Sequence, residues 1–151
     1  FEISHPEADK GSVKISFFGT IDFGRIGEPR LTEDEVLLVA SPLDIFATKL
    51  KVIIQRPSTK DYVDIIRLIK NDESLVEALG AASVFFGTDF SPMLSLRALS
   101  YYDDLLPPLS PSDSSFLKRQ VSEALRSLSI KGLEKPALAS ANLSSKEVKN
   151  L

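Results

Sequence analysis

Apolar and polar residues alternate in the first 40 positions with the period of two that is typical of β-strands. The segment 13–18 (VKISFF) alternates before a glycine, and the segment 36–39 (VLLV) is a short apolar run typical of a buried strand. Glycine and other turn formers dominate the residues between them. We expect two or three strands here. Because the chain opens inside a strand-like segment (FEIS), without Met or a signal peptide, we expect it to be part of a longer natural protein.

The pattern then changes to the period of helices. A helix is predicted to begin at Pro42, where Ser41 can cap it, and to end near Gln55, because Pro57 disfavours helical geometry in the residue before it. A second helix is predicted to begin after Ser58, which can cap it. The connection has only about three residues, so the two helices should form an antiparallel hairpin. The apolar stripe of the second helix has four members: Tyr62, Ile65, Ile66 and Ile69.

The rest of the chain is predicted to be helical, and the fold class is α+β. A small sheet of antiparallel or mixed strands is followed by the helical hairpin and a carboxy-terminal helix bundle. Residues 1–130 should form a single domain, and residues 131–151, poor in large apolar groups, a flexible tail. A loop is expected at 105–111, which contains three prolines. The further helices are predicted at residues 72–86, 91–102 and 112–129.

Composition and charge exclude several classes of chemistry. The chain has 18 Lys and Arg against 21 Asp and Glu, so its net charge does not steer it towards nucleic acid or an anionic membrane. Cysteine is absent and His5 is the single histidine, which excludes disulfides, thiolate zinc sites and Ser-His-Asp triads. No apolar run reaches the roughly 18 residues of a membrane span. We therefore expect a cytoplasmic protein that uses carboxylates, Lys, Arg or hydroxyls.

Candidate chemistry is concentrated on the predicted hairpin, which carries six charged residues: Asp44, Lys49, Arg56, Lys60, Asp61 and Asp64. Lys49 and Arg56 are two helical turns apart, so they would project from one face about 10 Å apart if the helix persists, a spacing that suits a polyphosphate. Asp61 and Asp64 are neighbours on the second helix and could face that cationic side. The alternative is structural, because opposite charges at such a junction can also hold two helices together.

The same segment resembles the AbiEii/AbiGii toxin family of nucleotidyltransferases. In that family a strand runs into Ser-x-x-Asp-hydrophobic, followed by a Lys, an Arg and then Lys-Asp-x-x-Asp-hydrophobic. The residues at these positions are Ser41, Asp44, Lys49, Arg56, Lys60, Asp61 and Asp64. The resemblance covers residues 12–70 well, and the later segment ALSYYDD is similar to the family's carboxy-terminal bundle.

The resemblance implies transfer of a nucleotide from a nucleoside triphosphate, with Mg²⁺, to an RNA or protein acceptor, and an antitoxin partner. By carry-over, Lys49 would contact phosphate and Asp64 or Asp61 would be the hairpin carboxylate of the site. Arg56 and Lys60 would assist in nucleotide binding.

Two departures from the family pattern affect this expectation. The family's Gly-Gly or Gly-Ser turn followed by Asp-x-Asp is absent, and its natural place would be upstream of Phe1. Ser16 stands where the family often carries a carboxylate, and a serine cannot ligate Mg²⁺ comparably; Asp22 is a poor substitute. The fragment alone is therefore expected to be inactive. The alternative function is a degenerate, non-catalytic nucleotidyltransferase-like module that acts through protein contacts.

Two further features have a structural interpretation. The glycines at 19, 24 and 27 lack the spacing of a phosphate-binding loop and are expected to bend a hairpin. The aromatic residues at 85, 86, 101 and 102 lie at helical spacing, which favours core packing over a base-stacking platform.

Overall fold

In the part of the chain that the structure describes, the β strands form two short antiparallel pairs. The computed structural model describes residues 24–137 and the backbone of two strands nearer the amino end. Strands β1 (Glu2–Ser4) and β2 (Ser12–Lys14) pair with each other, as do β3 (Arg30–Leu31) and β4 (Leu38–Val39). Strands were therefore correctly predicted in this part of the chain, although the described ones number four and are short.

The prediction that segment 36–39 is a buried strand is wrong. Its four side chains are exposed, and Val36 has 65% of its surface accessible. A continuous apolar run becomes buried only where other elements cover both faces of the sheet. The described helices leave the β3–β4 hairpin uncovered.

Among the described residues, five helices follow in the order that the apolar periodicity predicts. They are α1 (Pro42–Gln55), α2 (Thr59–Lys70), α3 (Leu75–Phe86), α4 (Pro92–Ser100) and α5 (Pro111–Lys131), with a 3₁₀ turn at Gly87–Asp89. The α+β fold class is confirmed. No helix among residues 24–137 is both long and apolar enough to cross a bilayer.

Serine hydroxyls define most of the helix starts. In four of the five described helices, the serine before the first residue accepts a hydrogen bond from the backbone amide three positions on; these serines are Ser41, Ser74, Ser91 and Ser110. Such a bond satisfies an amide that has no partner inside the helix, which is worth about 1 kcal/mol. The predicted side-chain cap at Ser58 is wrong. Only its carbonyl accepts bonds, from the amides of Asp61 and Tyr62.

The bounds of α1 and α2 agree with the prediction, whereas those of α3, α4 and α5 differ from it by one to three residues. The third helix begins at Leu75 and not at residue 72, because Asp72 adopts a left-handed conformation (φ 68°) that no helix residue can take. The fourth ends at Ser100, two residues early, and the fifth begins at Pro111, one residue before its predicted start.

The core lies around α1 and α3, which pack against each other, with α2, α4 and α5 around them. Phe46 and Leu50 of α1 are fully buried, as is Leu79 of α3. Each such side chain contributes about 2 kcal/mol of hydrophobic free energy. Of the aromatic residues predicted to pack in the core, Tyr102 is buried edge-to-face against Tyr62, with ring centroids 6.4 Å apart. Tyr101 is exposed.

After α5 the chain continues without regular structure to residue 137, and residues 138–151 lie outside the described part. The carbonyl of Glu134 lies so close to Gly80 of α3 that a Cβ there would overlap it, and Leu133 packs against the core. The beginning of the predicted tail therefore contacts α3. The single domain and the flexible tail remain predictions.

Candidate functional site at the helical hairpin

A lysine of α1 meets two aspartates of α2. The Nζ of Lys49 lies 2.7 Å from Oδ1 of Asp61 and 2.9 Å from Oδ2 of Asp64, and donates a hydrogen bond to each. The two acids are three residues apart, so they share a face of α2, and the short connection turns that face towards α1. The structure thus brings together the three residues predicted to be catalytic.

The three side chains differ in their access to solvent. The Asp61 side chain is 9% exposed, that of Lys49 27% and that of Asp64 40%. Asp61 is therefore held inside the hairpin, whereas Asp64 keeps part of its carboxylate open to a ligand.

The environment keeps Lys49 charged. Burial by itself would lower the pKa of Lys49, but the hydrogen bonds and negative charges of Asp61 and Asp64 together outweigh it, so the pKa is raised above its ordinary value. The ammonium form is thus the stable form at neutral pH. A cationic amine is the form that binds phosphate.

Arg67 is a member of this cluster that the sequence reasoning did not single out. Its Nη1 lies 3.8 Å from Oδ1 of Asp64, one helical turn away on α2. The cluster therefore contains two positive residues, Lys49 and Arg67, and two negative residues, Asp61 and Asp64. The signal that could have identified it is the i, i+3 spacing of Asp64 and Arg67.

Arg56 and Lys60 are not joined to the Lys49 cluster. Arg56 caps the carboxy end of α1 in an extended conformation (φ −146°), because the following proline disfavours the helical region. Projection of Lys49 and Arg56 from one helical face required the helix to continue through Arg56, and this condition is not met because α1 ends at Gln55, as predicted. Arg56 and Lys60 are exposed, and within the part of the chain that the structure describes neither has an ion-pair partner. Their predicted role in nucleotide binding is untested.

Asp44 has a structural contact. Its buried Oδ1 accepts hydrogen bonds from the backbone amides of Ile26 and Gly27, each at 3.2 Å, and so fixes the preceding loop to the first turn of α1. A negative charge is also favourable near a helix amino end. A glycine at position 27 leaves room for Ser41, because a Cβ there would overlap the side chain of Ser41. The bent hairpin predicted for the glycines at 19, 24 and 27 stays a prediction, since residue 19 lies outside the described residues.

The described residues do not by themselves form a magnesium site. Among them, no group of three or more Asp, Glu, His or Cys is placed to hold a metal ion. Asp61 and Asp64 are both engaged by the Lys49 ammonium, which would repel a divalent cation. Ser16, Asp22 and His5 lie outside the described residues. Residues elsewhere would have to supply the carboxylates for the Mg²⁺ that the family resemblance implies.

Two surface cavities lie away from this cluster. A groove of about 430 Å³ runs between α1, α2 and α4, and a polar depression of about 320 Å³ lies between the α2–α3 turn and α5. Lys49 lines neither of them.

Comparison with known proteins gives one family. A family model described as "Nucleotidyl transferase AbiEii toxin, Type IV TA system" matches residues 1–139. The match confirms the resemblance drawn from residues 12–70 and includes the five described helices. No curated protein and no solved structure matches the chain.

Proposed function

The chain belongs to the AbiEii family of nucleotidyl transferase toxins, and on this premise we propose that the protein transfers a nucleotide from a nucleoside triphosphate to an RNA or protein acceptor. The toxin–antitoxin description of the family further implies an antitoxin partner. We place this activity in the cytoplasm, where triphosphates and RNA are available.

The observation that supports the proposal is the convergence of Lys49, Asp61 and Asp64 across the hairpin. In this proposal the Lys49 ammonium binds a phosphate oxygen of the nucleotide. The buried Asp61 holds the amine in place, since its carboxylate accepts a hydrogen bond from Lys49 at a position almost closed to solvent. Positioning a charge before the reaction is an effective way to stabilise phosphoryl transfer.

Asp64 takes the role of the exposed carboxylate at the site. It is open enough to exchange its bond with Lys49 for a bond to an incoming acceptor hydroxyl and so orient that group. The exposed Arg56 and Lys60 add positive charge for the triphosphate. Mg²⁺ would neutralise the triphosphate charge, but it needs carboxylates outside the described residues and no step is assigned to it.

The test compares two lysines of the same helix. In the full protein as encoded in its host, Lys49→Ala should reduce transfer of an α-³²P-labelled nucleotide to total RNA or protein by about 100-fold or more. The reason is that the ammonium group that binds the phosphate of the nucleotide is lost. Lys51→Ala is the matched control. Lys51 is also engaged, with the Asp89 carbonyl and over the ring of Phe86, but on the side of α1 that faces α3. Undiminished labelling in Lys49→Ala, with normal folding, would overturn the assignment.

The second candidate is a non-catalytic module in which the same contacts only hold α1 and α2 together. It is favoured by the full engagement of the Lys49 amine by two carboxylates. This candidate predicts that the full protein labels no acceptor with any of the four nucleotides. It also predicts that none of them, with Mg²⁺, raises the melting temperature, whereas a nucleotide-binding enzyme would be stabilised by its ligand.

A further inference from the structure

The groove between α1, α2 and α4 has an apolar floor. Ile53 and Tyr62 form its base and are almost completely buried, and the Tyr62 hydroxyl donates to the Ala98 carbonyl at 2.9 Å. The polar group at the base is thus already satisfied. The remaining lining comes from residues around the base: Ile54, Pro57, Leu94, Arg97, Ala98 and Tyr101.

The walls of this groove expose large apolar side chains to solvent. Leu94 of α4 is 51% exposed and Tyr101, which directly follows α4, is 61% exposed, and both line the groove. Contiguous exposed apolar surface around a concave site is typical of a binding surface in a folded protein. At about 430 Å³, the groove is large enough for one or two apolar side chains of a ligand.

The charged residue that lines the groove is positive, although the chain as a whole is acidic. The protein has three more acidic than basic residues, yet the lining of the groove includes Arg97 and no carboxylate. Within residues 24–137, Arg97 has no ion-pair partner. An incoming carboxylate therefore finds an uncompensated guanidinium group beside an apolar floor.

We propose that this groove binds a segment of a partner protein that inserts an apolar side chain onto Ile53 and Tyr62 and presents a flanking carboxylate to Arg97. An acidic amphipathic helix presents such side chains next to each other where its apolar stripe borders its charged face. A nucleic acid fits less well, because the base of the groove offers little hydrogen bonding for the edge of a base. The site is separate from the Lys49 cluster, so the proposal does not depend on the nucleotidyltransferase activity.

The test uses a phage-displayed library of random peptides selected on the full chain. Enriched peptides should contain Leu, Phe or Met next to Asp or Glu. A fluorescein-labelled synthetic copy of one such peptide is then titrated by anisotropy against four variants. Leu94→Glu and Arg97→Glu should each weaken its binding at least about tenfold, because they introduce a like charge at the apolar wall and at the cationic rim.

Two matched controls make the same changes outside the groove. Met93→Glu alters an equally exposed apolar residue that does not line the groove, and Arg126→Glu reverses an exposed arginine on α5. Both should bind the peptide within about twofold of the original chain. Melting curves establish that the variants fold, and Leu94→Ala replaces Leu94→Glu if the latter does not.

The alternative outcomes each overturn the proposal. Enrichment of basic peptides or of none, or equal binding by the groove variants and the controls, would exclude an acidic partner segment at this site. A labelled 12-nucleotide single-stranded RNA that binds the chain and loses affinity with Leu94→Glu and Arg97→Glu would assign the groove to nucleic acid instead.

Discussion

Removing the charge of Lys49 tests how the hairpin is held together. In Lys49→Met the side chain keeps its length and apolar stem but leaves the Asp61 carboxylate, which is almost closed to solvent, without its cationic partner. Asp64 loses a partner as well, but it is more exposed and retains Arg67 at 3.8 Å. The two acids should therefore contribute unequally to stability.

The expected magnitude follows from these exposures. Exposed ion pairs contribute about 0 to 1 kcal/mol and breaking a fully buried one costs about 3 to 5 kcal/mol. Lys49 lies between these limits because part of its side chain reaches solvent, so Lys49→Met should lower the free energy of unfolding by about 2 kcal/mol. In a chain of this size the melting temperature should then fall by about 6 °C.

Double-mutant cycles separate the two pairs. Urea unfolding of the chain is followed by circular dichroism for Lys49→Met, Asp61→Asn, Asp64→Asn and the two doubles that contain Lys49→Met. The coupling energy should be about 1.5 kcal/mol for Lys49 with Asp61 and about 0.5 kcal/mol for Lys49 with Asp64. The reasoning from burial is refuted if the Asp64 coupling equals or exceeds the Asp61 coupling, or if neither exceeds about 0.3 kcal/mol.

Two further predictions concern pH and backbone packing. Because the pKa of Lys49 is raised in the folded chain, its stabilisation is fully present below the ordinary lysine value of 10.5 and is lost as the pH rises through the folded value. The advantage of the original chain over Lys49→Met, measured by urea unfolding, should be constant between about pH 6 and 9 and should decline above about pH 10.5; a decline near neutral pH would contradict the raised pKa. Gly27→Ala should cost about 1 to 3 kcal/mol, because its Cβ overlaps Ser41 and displaces the loop from Asp44. Ala at the exposed Glu28 next to it should have little effect, and equal melting temperatures for the two variants would show that the loop does not pack closely there.

Helix starts were predictable from local sequence because their physical cause is local. Ser41 with Pro42 begins α1 as expected, since a hydroxyl that satisfies a free amide and a residue without an amide act within one turn of chain. Capping signals and apolar periodicity did not predict the start of α3, because the backbone conformation of a single residue prevents the helix from beginning earlier. Asp72 adopts a left-handed conformation, which is uncommon for a residue other than glycine and which the apolar periodicity does not reveal.

The pairing of Lys49 with Asp61 and Asp64 was predicted only as a possibility. Spacing placed the two acids on one face of α2, but their distance from the amine depends on how α1 and α2 pack, which the core residues decide. The alignment of Arg56 with Lys49, by contrast, does not form. Its predicted alignment with Lys49 required a continuous helix, and the conformation imposed before Pro57 removes it.

The sequence by itself determined the α+β class, the order of the helices, most of their starts and the family. Only the tertiary structure decided which side chains are buried, because burial depends on residues far apart in the chain. The apolar segment at 36–39 is exposed and the charged Asp61 is nearly closed to solvent. Hydropathy describes what a residue favours, whereas packing between distant elements determines whether it is covered.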